Sequence, residues 1–223
     1  MILSASEIPF PSAIVIKAII FDMDGTLYVS DEFTSAIKQA AASYMSGVLG
    51  SSSDESRRMM SESGKSLAQE KNGVVTLSGV CARLGGNIRD MHKFFGENLQ
   101  PEDFLTSNYR VVDLLERLSK RFKLYIYTNN SRKLSEKIIQ ILGIEGFFSA
   151  LFTIDDDWIA KPNTEKLGWI LNEIGVYPNE ALFVGDRYNV DLRIPEQKGC
   201  PVYLSQSIDE LLLLDRLLDN QAT

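Results

Sequence analysis

An α/β fold is predicted for this chain: a parallel sheet with helices on both faces, interrupted early by a helical insert. Three observations carry the prediction. Short apolar, β-branched or aromatic runs recur, each followed by polar or glycine-rich turn residues. Amphipathic helical stretches separate the later runs. Between the first and second runs, from 30 to 110, no sheet-type run occurs at all. With 223 residues, 44% of them hydrophobic, the chain can bury a sizeable core.

In order, "IVIKAIIF" before Asp22 is the first expected strand, "KLYIYT" before Asn129 the second, "ALFTI" before Asp155 the third and "ALFVG" before Asp186 the fourth. "CPVYL", running up to Ser205, is the fifth. "SRKLSEKIIQILG" carries apolar residues at 134, 138, 139, 141 and 142 and stops at Gly143; "NTEKLGWILNEIG" carries them at 167, 170, 171 and 174 and stops at Gly175. Glycine at such a position lets the chain leave a helix through a left-handed conformation. The insert reads as helices over "TSAIKQAAASYMSGVLG", "DESRRMMSESGKSLAQEKNG", "LSGVCARLG" and "IRDMHKFFGENL". It is too long for an ordinary connection, so the expected organisation is a core of residues 1–29 and 111–223 with a separate helical domain of residues 30–110. In "DLRIPEQKGC", Pro195 is expected to end or bend the last core helix early.

Lys and Arg number 23 against 30 Asp and Glu, a formal charge of -7, and no basic block appears. That argues against nucleic acid or an anionic membrane as the main partner, while a small anionic substrate needs only a locally positive site. The first twenty residues contain Glu7, Pro9 and Pro11 and lack both a basic start and a long apolar run, so neither a signal peptide nor a membrane span is expected. Cys81 and Cys200 stand apart, without the spacing of a disulfide framework or metal site, and cytoplasm is the expected compartment.

Ligands of open parallel sheets sit beyond the carboxyl ends of the strands. There the sequence places Asp22 and Asp24, then Thr128, Asn129 and Asn130, then Asp186 and Asp191, with Lys161 able to reach the same edge. Singly, each has a structural explanation: turn chemistry for "DGT", a helix start for the asparagines, a solvated surface for the lysine, helix N-terminal acids for the last pair. Together they supply what phosphoryl transfer to a carboxylate requires. Four clustered acids need a cation, and an all-oxygen set suits Mg²⁺ rather than zinc. One aspartate can then attack phosphorus to give an aspartyl-phosphate, while a second protonates the leaving oxygen and later activates water. Lysine, a hydroxyl and backbone amides neutralise the transferring group.

The segments "FDMDGTLY", "YTNN", "AKPN" and "VGDRYNVD" resemble, in order and spacing, the four motifs of the haloacid dehalogenase-like hydrolase superfamily. The resemblance implies a Rossmann-like core with an inserted helical cap, Mg²⁺ as cofactor, and a small phosphorylated metabolite as substrate. It implies Asp22 as nucleophile and metal ligand, and Asp24 as general acid/base with its backbone carbonyl on the metal. Gly25, Thr128, Asn129 and Lys161 would bind the phosphoryl group, Lys161 also orienting Asp22; Asp186 would ligate the metal and Asp191 would support it. Asp24 favours a phosphatase over a dehalogenase, since dehalogenases of this type lack an aspartate two positions after the nucleophile. The branch looks similar to phosphoglycolate phosphatases and pyrimidine 5'-nucleotidases, with a β-phosphoglucomutase-like phosphomutase, a 5'-nucleotidase or a phosphate-binding regulatory protein as alternatives.

Specificity is expected between residues 30 and 110, where Arg57, Arg58, Lys65, Arg83, Arg89 and His92 are polar candidates, most of them simply solvated. "GKS" at 64–66 is not a phosphate loop, because the glycine required five residues before Gly64 is Met59. One departure from the resembled pattern is local: Arg193, Pro195 and Glu196 stand where small residues are usual after the fourth motif.

Overall fold

A computed structural model describes residues 2–3, 15–70 and 74–219. Six parallel strands form one sheet in the order β1-β6-β5-β2-β3-β4. They are β1 (Ile2–Leu3), β2 (Ala18–Phe21), β3 (Lys123–Tyr127), β4 (Phe148–Phe152), β5 (Ala181–Gly185) and β6 (Val202–Leu204). The chain runs outward from β2 through β3 to β4, then returns to β5 on the other side of β2. That reversal makes the β2 end the switch point of the sheet, the place where an open α/β fold leaves a crevice.

Alternation along β2 explains the two layers. Ile19 and Phe21 face one apolar cluster, with Leu124 and Ile126 of β3 and Leu182 and Val184 of β5. The cluster is closed by α5 (Tyr109–Ser119) through Leu114 and Leu118 and by α6 (Arg132–Leu142) through Leu134 and Ile138. Ala18 and Ile20 face the second cluster, closed by Leu167, Ile170 and Leu171 of α7 (Thr164–Glu173). Gly143, after α6, and Gly175, just beyond α7, adopt φ of 69° and 69°, the left-handed exit expected of them.

The interval after β2 folds into α1 (Asp31–Leu49), α2 (Ser53–Glu70), α3 (Leu77–Arg83) and α4 (Ile88–Asn98). Ser30 caps α1 by accepting from Phe33 N–H at 3.0 Å, and Gly50 releases it at φ 63°. Met45, Met60, Val80, Cys81 and Met91 pack these helices on one another, in an apolar cluster that continues into the sheet through Phe33, Leu99 and Leu105. None of the described helices is long and apolar enough to cross a membrane.

Three details differ from the sequence reading. Strand β1 is new, a two-residue pairing on β6 too short to leave a pattern. The third expected run stops at Phe152, because Thr153 turns out of the sheet to cap a short 3₁₀ turn with Asp156. Pro195 does not end its helix: α8 (Arg193–Gln197) follows a π turn over Tyr188–Leu192, and Pro195 lies in the first turn, where a missing N–H is tolerated.

Candidate active site

Phe21 aligns with Ile126 of β3 and Val184 of β5, so the residues that follow these three strands emerge side by side. Asp22 comes first. Its N–H donates to Val184 O at 2.8 Å, the last sheet bond before the loop, and its carboxylate is buried. Lys161 meets it there: Nζ donates to Asp22 Oδ1 at 2.5 Å, to Asp191 Oδ1 at 2.7 Å and to Tyr127 O at 2.9 Å. Three protons thus find three acceptors, which is what a buried ammonium requires. Asn129 fixes the turn that carries this lysine, its Oδ1 accepting from Lys161 N–H at 2.7 Å.

Carboxylates crowd the opposite side. Ligand oxygens of Asp22, Asp186 and Asp191 lie within 4.8 Å of one another. Gly25, at φ 81°, lets the loop pass against Asp186; a Cβ there would sit 2.5 Å from Asp186 Oδ2. Gly185 admits Asp191 in the same way, a Cβ falling 2.6 Å from Asp191 Cβ. Gly25→Ala should therefore displace Asp186 as well as strain the backbone, and is expected to weaken divalent-cation binding by tenfold or more (roughly, from steric displacement of one ligand). Calorimetric titration of the variant with Mg²⁺ reads this out directly.

Electrostatics follow from that crowding. Burial, then the charge of Asp191, push the Asp22 carboxyl above the ordinary carboxylate range, against the pull of Lys161. Asp186 is pushed up to about 6, by burial first and Asp191 second. Burial opposes the charge of Lys161, but Asp191 and Asp22 overcome it and hold the ammonium firmly protonated. Among the described residues two buried oxygens, Asp22 Oδ2 and Asp186 Oδ1, find no hydrogen-bond partner, Arg187 Nε lying 3.6 Å from the latter. A hard cation fits this donor set: carboxylate oxygens only, unsatisfied, and mutually repelling.

Asp24 stands apart from the three-carboxylate group. Its Oδ1 accepts from the Tyr28 hydroxyl and its Oδ2 from Asn130 Nδ2 at 2.7 Å. It remains close enough for its charge to add to the upward push on Asp22, while Met23 between them is buried in the core. Thr128 is also buried; its Oγ1 accepts from Asn130 N–H at 3.1 Å, which leaves the hydroxyl proton to donate elsewhere. All eight residues singled out from the four motifs, Asp22, Asp24, Gly25, Thr128, Asn129, Lys161, Asp186 and Asp191, lie along this one sheet edge.

Sequence reasoning gave no role to Arg187, a cation beside Asp186 and Asp191 whose N–H also donates to Asp191 Oδ2 at 3.1 Å. Its place one residue after Asp186 was the available signal. The Tyr28 hydroxyl holds Asp24, and its ring lies against Phe33. Among the polar candidates of the helical insert, Arg83 pairs with Glu70 at 2.6 Å and Arg89 stacks over Trp158. His92 is buried beside Phe95 and Trp158, and burial pushes it down to about 4.

Comparison with known proteins converges on one group. A family model described as haloacid dehalogenase-like hydrolase matches residues 16–197. The chain is 31% identical over 176 residues to a pyrophosphatase PpaX of Bacillus pumilus, covering 78% of this chain and 76% of that protein. It is 33% identical over 110 residues to a phosphoglycolate phosphatase of Pasteurella multocida, 49% of this chain and 48% of the other. Among solved structures, a HAD-hydrolase YfnB of Bacillus subtilis bound to magnesium aligns with a TM-score of 0.59 at 18% identity, over 90% of this chain and 98% of that one, a likeness of fold.

Proposed function

This chain belongs to the haloacid dehalogenase-like hydrolase family, and from that premise we propose that it is a Mg²⁺-dependent phosphatase of small phosphomonoesters working through an aspartyl-phosphate on Asp22. The observation that carries the reading is the pairing of a lysine-held Asp22 with two buried carboxylate oxygens, Asp22 Oδ2 and Asp186 Oδ1, that lack partners. Asp22, Asp186 and Asp191 would hold the metal, with the backbone carbonyl of Asp24 as a further ligand. When bound, Mg²⁺ supplies positive charge to the phosphoryl oxygens and relieves the repulsion among the aspartates. The similarity to a pyrophosphatase and a phosphoglycolate phosphatase supports a small, strongly anionic substrate.

In the first step an Asp22 oxygen attacks phosphorus as the ester P–O bond breaks, and Asp24, protonated, gives its proton to the leaving oxygen. In the second, Asp24 takes a proton from water, which attacks phosphorus and frees Asp22. Tyr28 and Asn130 fix the Asp24 carboxyl for both transfers. Lys161 keeps Asp22 in place and lends positive charge beside the phosphoryl group, while Thr128 and Asn129 bind that group in a loop shaped by Gly25. Residues 30–110 act as a cap over a core of 1–29 and 111–223, screening the acyl-phosphate from bulk water.

Purified protein with p-nitrophenyl phosphate and Mg²⁺ should release phosphate, and EDTA should lower kcat/KM by about 100-fold or more, as loss of several kcal/mol of charge stabilisation implies. Turnover indifferent to EDTA would contradict the reading.

A further inference from the structure

A cavity of about 450 Å³ lies between α2–α3 and the turn that carries Lys161, lined by Leu67, Val74, Ile88, Ala160 and Pro162 among others. Its volume is that of a small-molecule site. Among the described residues that line it none is acidic, and the charged ones are Lys161 and Arg193. The ammonium of Lys161 is already occupied by Asp22, Asp191 and the Tyr127 carbonyl. Arg193 is the opposite case: half-buried, it makes no hydrogen bond or ion pair among the described residues, and its Nε is a buried donor without a partner. A buried unpaired guanidinium N–H is costly unless something else satisfies it. Thr76 and Ser78 add hydroxyls to the same wall.

Resting on the phosphatase reading, we propose that this cavity receives the non-reacting end of the substrate and that Arg193 selects there for a second anionic group, a carboxylate or another phosphoryl group. The geometry suits it. Lys161 belongs both to the reacting centre and to the cavity lining, so the cavity adjoins the place where the phosphoryl group would be held, with Arg193 on its wall. Arginine binds carboxylate and phosphate through paired N–H donors, which lysine or methionine cannot reproduce.

Calorimetric binding in excess Mg²⁺ tests this without needing turnover, using phosphonoacetate, methylenediphosphonate and ethylphosphonate as probes. The wild-type protein should bind at least one acid-tailed probe about 10- to 100-fold more tightly than ethylphosphonate, the range expected of a hydrogen bond to a charged group. Whether phosphonoacetate or methylenediphosphonate binds more tightly identifies the second anion. Arg193→Met should shrink that preference to about threefold or less, and Arg193→Lys should restore part of it. No preference in the wild type, a preference that survives Arg193→Met, an equal loss of all three probes, or binding of none of them would overturn the inference. Failure of the phosphatase reading shows separately, as absence of Mg²⁺-dependent phosphate release from p-nitrophenyl phosphate by the wild-type protein.

Discussion

Asp22→Asn is expected to leave a folded protein with phosphatase turnover reduced by about 10⁴-fold or more, the scale of loss seen when a nucleophile is removed. The amide is nearly isosteric, and its oxygen can still accept from Lys161, whose Nζ lies 2.5 Å from Asp22 Oδ1. Replacing the carboxylate also removes its repulsion with Asp191, the second cause of the raised Asp22 carboxyl after burial. Thermal unfolding in EDTA should therefore match that of the wild-type protein or move slightly higher. Circular dichroism melts and kcat/KM with p-nitrophenyl phosphate check both halves. A large drop in Tm would assign Asp22 a structural role instead.

Lys161→Met should act in the opposite sense, on stability as well as rate. The substitution keeps an unbranched apolar stem but leaves Asp22 and Asp191 facing each other in the interior, 4% and 3% exposed at their side chains, without the ammonium that joins them. Breaking one side of a buried ionic network costs about 3–5 kcal/mol, and urea unfolding in EDTA should show a loss of that order. The pH dependence has a fixed sign. Removing Lys161 raises the folded-state carboxyl values of Asp22 and Asp186 further above their unfolded values. Such groups destabilise the fold when ionised and cease to do so once protonated. The deficit relative to wild type is therefore greatest at neutral and higher pH, and narrows as pH falls through the raised carboxyl values. A deficit that widens on acidification would contradict the buried-pair account.

Much of this architecture was legible because the residues that build it are forced by elementary constraints. The β2, β3 and β5 runs were readable from apolar continuity, and strand ends are where an open α/β sheet must place its ligands. Asp22, Lys161, Asp186 and Asp191 therefore meet where expected. Gly25 was readable as turn chemistry, but its role in admitting Asp186 depends on an approach of 2.5 Å that no pattern encodes. Asp24 illustrates a different limit. The structure holds its carboxylate with Tyr28 and Asn130, outside the group formed by the other three acids. Those partners come from the residue four positions on and from the end of a neighbouring strand, contacts set by tertiary packing. The exit of Thr153 from the sheet and the placement of Pro195 in a first helical turn were local competitions between capping and extension, decided by the neighbouring residues.

The proposed mechanism requires Asp22 to become covalently phosphorylated during turnover. Rapid acid quench of the Mg²⁺-loaded wild-type protein mixed with a reactive phosphomonoester, followed by peptic digestion and mass spectrometry, tests it most directly. A single added phosphoryl group should be found on the peptide containing Asp22, appearing before steady state and absent from Asp22→Asn. Turnover of the same ester with no phosphorylated peptide at any quench time, or with the group on another residue, would contradict it.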